Sequence, residues 1–261
     1  MAQRSLIMTG EAGQPDYFTF RSLRFDHSGR YSPRHRHNFA QYYYVLEGEV
    51  TFASARLTPG WLGYMPEGVF YGPQSGGSHL LLLLQHGGPS GQGLIADDQQ
   101  SQAFEALKTT GVFEKGIYRP KVENESGRAQ DSYEAIWEHV RQRQLVYPRA
   151  QYSDPITMDT NAFPWIALAD QPDVQRRVYG AFTSCSYGPA GYKLAADAKL
   201  RLGGRGVYFV LEGAGSVGGH CYRKQTAIYL GDGEVETFEA AAATEILCLG
   251  LPKLASMARL A

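Results

Sequence analysis

Apolar and polar residues alternate in short runs along most of this chain, and glycine or proline closes nearly every run. Runs of four to eight residues with a period near two predict β-strands, so the pattern reads as a mainly β chain. Two stretches break it. From Asp97 to Thr110, Ala103, Phe104 and Leu107 recur at helical spacing, and Gly111 stops the pattern. From Asp131 onward, Tyr133, Ile136, Trp137 and Val140 form one apolar stripe. Asp131 is placed to cap that helix, with Glu134 as its capping-box partner and Pro148 as its stop. Both helices are expected to pack on the outside of the β units.

The apolar pattern also repeats. Shifted by 165 residues, Tyr44-Val45-Leu46-Glu47-Gly48 falls on Phe209-Val210-Leu211-Glu212-Gly213. At the same offset Gly63–Gly68 falls on Ile228–Gly233, and Leu80–Leu84 falls on Glu245–Leu249. Three gapless matches, apolar on apolar and turn on turn, predict two copies of one β unit. The expected organisation is an N-terminal unit over 1–90, a linker with two helices over 91–160, and a C-terminal unit over 161–261.

Composition narrows the function classes. The 261 residues carry a formal net charge of −1 and no basic stripe, which speaks against nucleic acid and anionic membranes as partners. The longest apolar run, Leu80–Leu84, is far too short to span a bilayer, and no signal-peptide core is present. Cys185, Cys221 and Cys248 form no C-x-x-C pair. An odd count without a secretion signal fits reduced thiols and a cytoplasmic location. No nucleophile elbow occurs, and the glycines of 203–206 lead into a strand rather than a helix.

The candidate chemistry lies in Arg34-His35-Arg36-His37-Asn38-Phe39-Ala40-Gln41-Tyr42-Tyr43-Tyr44. Residues two apart on a strand share a face. His35 and His37 therefore point together, as do Gln41 and Tyr43, while Tyr42 and Tyr44 face outward. Buried polar groups on one face need partners, and a divalent metal would satisfy several at once. A histidine-lined ligand pocket without metal, or a packed pair, would also account for the two histidines.

Two ordered motifs in this region resemble those of the cupin superfamily. The first runs Gly29, five residues, His35-Arg36-His37, three residues, Gln41, six residues, Gly48; Gln41 stands where the family has glutamate. The second runs Gly60, Pro66, Gly68, Tyr71; Tyr71 stands where the family has histidine. The resemblance covers roughly 17–86 directly and 165–252 through the repeat. It implies a bicupin of two double-stranded β-helix (jelly-roll) barrels. It also implies a metal site of His35, His37 and Gln41, with Tyr43 and Tyr71 as catalytic candidates. Iron is the first expectation for the divalent ion, with zinc, nickel or manganese as alternatives.

The activity implied is that of a dioxygenase-like oxidoreductase acting on a small, aromatic or enolic substrate, in a chain that pairs as a homodimer. An isomerase or lyase using tyrosine–histidine acid–base chemistry stays open, as does a non-catalytic ligand-binding or sensor protein. Neither altered position settles the choice. An amide brings no charge to a metal, and tyrosine is a poor neutral-pH ligand unless the metal lowers its pKa. At the fixed offset, His35, His37, Gln41 and Tyr71 fall on Leu200, Leu202, Gly206 and Glu236, so the second copy is expected to be structural. His27 is read as a partly exposed structural histidine, with the pocket mouth as the alternative, His86 as a rim residue, and His79 as too far along its hairpin to share a metal with Tyr71.

Overall fold

The computed structural model describes residues 2–14, 16–26, 30–52, 55–88, 90, 93–121, 129–182 and 187–253. His27, Gly29 and Cys185 lie outside the described residues. The chain divides into two compact units, 1–157 and 158–261, so the two helices belong with the first barrel.

The first unit opens with β1 (Ala2–Thr9), β2 (Phe18–Phe25) and β3 (Arg30–Ser32). Next come β4 (Phe39–Phe52), β5 (Ala55–Leu57), β6 (Trp61–Met65) and β7 (Gln74–Gly87). One face of the barrel has the order β1-β2-β7-β4-β6, all antiparallel. The 14-residue strands β4 and β7 continue past it, where β5 joins β4 and β3 joins β7. Two register shifts between β4 and β7 bracket Gly48 and let the ladder bend. Gly48 has φ of +70°, and a Cβ there would run into the Ser78 carbonyl. Only glycine fits the bend without strain.

Helix α1 (Asp97–Thr110) ends where its pattern stops. A small ribbon of β8 (Gly111–Glu114), β9 (Ile117–Pro120) and β10 (Gln130–Asp131) leads to α2 (Ser132–Arg141). Asp131 caps α2 as expected, its carboxylate accepting from the backbone N–H of Tyr133 at 2.8 Å and of Glu134 at 3.3 Å. Pro148 does not end α2. Gln142, in the left-handed conformation, closes it six residues earlier. β11 (Ile156–Asp159) straddles the division between the units.

The second unit holds β12 (Ile166–Leu168), β13 (Gln171–Val178), β14 (Pro189–Leu194), β15 (Lys199–Gly203) and β16 (Gly206–Glu212). It continues with β17 (Ala214–Val217), β18 (His220–Arg223), β19 (Ala227–Leu230), β20 (Val235–Ala240) and β21 (Thr244–Gly250). Its two sheets run β12-β13-β14-β21-β16-β19 and β15-β20-β17-β18.

The repeat holds to the single residue in the central strands. Tyr42 lies opposite Tyr64 and Leu84, and Val207 lies opposite Tyr229 and Leu249, each 165 residues later. Gly213 repeats Gly48, with φ of +95° and a Cβ that would meet the Ala243 carbonyl.

Elsewhere the fixed offset slips. His35 bridges Tyr71, but Leu200 pairs with Phe238 and Leu202 with Glu236. Two extra residues keep the face and move the equivalent of Tyr71 from Glu236, which is exposed, to Phe238, which is fully buried. Leu200, Leu202 and Phe238 join Tyr208 and Val210 in an apolar core. No described helix is long and apolar enough to cross a membrane.

Candidate functional site

The interior of the first barrel follows from strand parity. Leu23 and Phe25 of β2, Tyr43 and Val45 of β4, and Leu81 and Leu83 of β7 form its apolar floor. One row higher, three polar residues face one another on the same three strands. Thr19 is opposite Gln85, and Gln85 is opposite Gln41. Gln85 and Gln41 line a cavity of about 180 Å3 that His35, His37, Tyr43 and Tyr71 also line. All five residues singled out by the sequence therefore meet in one place.

Backbone pairing sets the opposite wall. The His35 N–H donates to the Tyr71 carbonyl at 3.0 Å and the Tyr71 N–H donates back at 2.9 Å. The Gly68 N–H donates to the His37 carbonyl at 2.8 Å. The Pro66–Gly68 turn thus carries Tyr71 to the side of His35, with ring centroids 4.4 Å apart.

A directed hydrogen-bond chain crosses the cavity. Thr19 Oγ1 donates to Gln85 Oε1 at 3.4 Å, and Gln85 Nε2 donates to Gln41 Oε1 at 3.0 Å. Gln41 Nε2 donates to the Tyr71 hydroxyl at 2.6 Å and, more weakly, to the Tyr43 hydroxyl at 3.4 Å. Both ends of the Gln41 amide are engaged. The Tyr71 oxygen accepts within this chain, so its own proton is left to donate elsewhere. Burial and the neighbouring Tyr43 hold Tyr71 well above the ordinary tyrosine range, so it is a neutral phenol.

The two imidazoles differ in their supports. His35 Nδ1 lies 2.6 Å from the Pro33 carbonyl, which can only accept. Nδ1 therefore carries the hydrogen, and in the neutral ring Nε2 keeps its lone pair. His37 Nδ1 is buried with no protein partner. Burial, with His35 beside it, holds His37 well below the ordinary histidine range and keeps it neutral. The ring centroids are 5.0 Å apart, edge to face. Two adjacent imidazoles, each with a nitrogen not used by the protein, suit a borderline divalent metal. No group of three or more histidine, cysteine, aspartate or glutamate side chains joins them among the described residues.

The helices do more than pack outside. The Tyr133 ring of α2 meets His37 edge-on at 4.7 Å, while Phe39 stacks on His37 at 4.4 Å. The Tyr133 hydroxyl donates to Asn38 Oδ1 at 2.7 Å, which fastens α2 over the cavity. Leu94, Asp97 and Gln100 line the same side. Asp97, the first residue of α1, accepts from Arg21 Nη2 of β2 at 3.1 Å.

Sequence reasoning missed Gln85, Arg21, Asp97 and Tyr133. For Gln85 and Arg21 a signal existed: each is polar at the parity of its strand's inward apolar residues. Two other histidines are settled. His86, read as a rim residue, is buried against Tyr42 with Nδ1 2.9 Å from the Gly87 carbonyl. Position 86 belongs to the face of β7 opposite the cavity. His79 is also buried, held at the Gly77 carbonyl and against Phe25, and does not line the cavity.

No protein-family model and no curated protein matches the sequence. Solved structures do match the fold. A candidate dioxygenase from Nostoc punctiforme is similar over 95% of this chain and 81% of its own, with TM-score 0.58 and 11% identity. Oxalate decarboxylase from Bacillus subtilis, studied for its Mn(II) centres, is similar over 95% and 72%, with TM-score 0.54 and 13% identity. Salicylate 1,2-dioxygenase from Pseudaminobacter salicylatoxidans is similar over 90% and 70%, with TM-score 0.54 and 15% identity.

Proposed function

We propose that this chain, which has the two-barrel cupin fold, is a metal-dependent enzyme acting on a small molecule in its first barrel, with oxidation of the dioxygenase type as its reaction class. The observation that carries the metal is the imidazole pair: two rings at one cavity wall, one pinned through Nδ1 and the other with a buried nitrogen that has no protein partner among the described residues. His35 and His37 are the protein donors. Two of the three similar structures described above are dioxygenases or candidates for that activity, and this supports the reaction class by likeness of fold alone. Iron fits that class, and zinc, nickel and manganese suit the same donors.

A divalent ion bound there would supply a Lewis acid and, if redox-active, an electron-transfer centre. The remaining work falls to side chains. Gln41 keeps one lone pair on Oε1, but its bonds to Gln85 and Tyr71 assign it to orienting Tyr71. Tyr71 presents its O–H as a hydrogen-bond or proton donor to a substrate oxygen. Tyr43 closes the floor behind that oxygen, and Tyr133 shields His37 from bulk water.

A second reading rests on the 2.6 Å bond from Gln41 to Tyr71 beside neutral His37. An oriented phenol and an unprotonated imidazole are an acid and a base without any metal, as an isomerase or lyase requires.

Metal analysis of protein purified without chelator or nickel resin separates the two. About one divalent ion per chain is expected. A folded His35→Ala/His37→Ala variant should lose it. Oxygen uptake with candidate enols and catechols then tests the reaction class. Wild type that neither carries nor gains metal would overturn the first reading and leave the acid–base one.

A further inference from the structure

Arg21 has no part in the chemistry above, yet its position is costly. It lies on β2 between Thr19 and Leu23, at the inward parity, directly opposite Leu83. Leu83 is in turn opposite Tyr43, so Arg21 stands one row from Thr19, Gln85 and Gln41. Only 8% of Arg21 is exposed, and it lines the cavity. A guanidinium so placed needs charge and hydrogen-bond partners for its fork of five N–H groups. Its one ion pair among the described residues is a single contact, Nη2 to Asp97 Oδ1, and the Asp97 side chain is half in solvent. Nε is buried and has no partner among the described residues. Arg4 of β1 lines the cavity as well, so two guanidiniums face one carboxylate. The remaining lining holds no further carboxylate. A cavity of this kind is electropositive.

We infer that the cavity binds a small carboxylate, with Arg21 as its counter-charge and the opposite end of the molecule toward His35, His37 and Tyr71. The volume of about 180 Å3 is below that of pockets for drug-sized ligands, so the ligand is a small acid. A guanidinium can match a planar carboxylate two bonds at a time, and here a ligand carboxylate would take the open Nε and share or displace the Asp97 contact at Nη2. Asp97 competes for the same group and weakens the site. The inference shares the cavity with the proposed enzyme but does not rest on the metal.

Calorimetric titration with pyruvate and benzoate, set against their amides and against inorganic phosphate, tests it. The protein is used as purified and again after chelator treatment, so failure of the metal reading leaves this test standing. At least one of the two acids should bind about tenfold or more tightly than its amide. Arg21→Gln should abolish that preference. Asp97→Asn should strengthen carboxylate binding, and it decides the question should Arg21→Gln fail to fold. Equal binding of acid and amide, no binding of either acid, or preference for phosphate would overturn the inference. So would a preference that survives Arg21→Gln, or an Asp97→Asn variant with no gain.

Discussion

Replacing Gln41 by glutamate puts a carboxylate in place of the amide beside the two imidazoles and should cut both ways. Gln41 is 1% exposed, and its amide donates to Tyr71 while accepting from Gln85. A carboxylate can keep the Gln85 bond and receive the Tyr71 proton, but it must either hold a charge in a buried site or be protonated. Protonation sets the upper limit on the cost. Carrying a carboxyl of unfolded pKa about 4.3 to pH 7 in its neutral form costs about 4 kcal/mol at most. Charge-assisted bonds from Gln85 and Tyr71 offset part of this, so a loss of about 1–3 kcal/mol is expected in metal-free protein.

The sign with pH follows from the direction of the shift. Burial raises the folded pKa above the unfolded one, so the folded state binds more protons. The deficit against wild type should be smallest below about pH 4.3 and grow as pH rises. Urea unfolding from pH 4 to 8 reads it, with midpoints falling by about 0.5–1.5 M at neutral pH for a slope near 2 kcal/mol/M. With a divalent ion present the deficit should shrink or reverse, because the new carboxylate adds a charged oxygen donor beside the imidazoles. Affinity for the ion should rise at least about tenfold. A variant as stable as wild type without metal, and no tighter for metal, would show that Gln41 is neither buried nor near the imidazoles in the way described.

Other outcomes follow from the same geometry. Tyr71→Phe leaves Gln41 Nε2 without its main acceptor and should cost about 1–3 kcal/mol in unfolding. It should lower turnover about 10²–10⁴-fold while metal content stays unchanged; a matching loss of metal would make Tyr71 a ligand instead. His37→Phe bears on pH. Because the folded pKa of His37 lies below its unfolded value, wild type should lose stability as pH falls below about 6.5, by up to about 1.4 kcal/mol per unit. The phenylalanine variant should lack that slope in the same unfolding series, and an unchanged slope would place the titration elsewhere.

The most legible parts of the sequence were those written in local periodicity. The central strands of both barrels could be matched residue for residue because alternation, glycine bends and apolar runs recur together. Strand parity set Gln41 and Tyr43 on one inward face, whereas His35 and His37 precede β4 and reach the cavity from the facing wall, where His35 bridges Tyr71. The distal wall was harder to read. Tyr133 looked like one more apolar residue in the stripe of its helix, since nothing local shows that a stripe will lie over a barrel mouth. Asp97 read as a helix start, and its contact with Arg21 spans 76 positions. The slip near Phe238 was hidden because an insertion of two residues preserves strand parity.

Leu200, Leu202 and Phe238 make the second barrel a control experiment carried on the same polypeptide. The register of the central strands and the glycine at the bend are shared, but the second core is packed with aliphatic and aromatic side chains where the first barrel has a polar-lined cavity. The architecture is therefore indifferent to its filling, and nothing in the fold obliges positions 35, 37 and 71 to be polar. A His35→Leu/His37→Leu/Tyr71→Phe variant borrows a solution this chain already uses. What it loses can be assigned to missing chemistry and not to a broken scaffold.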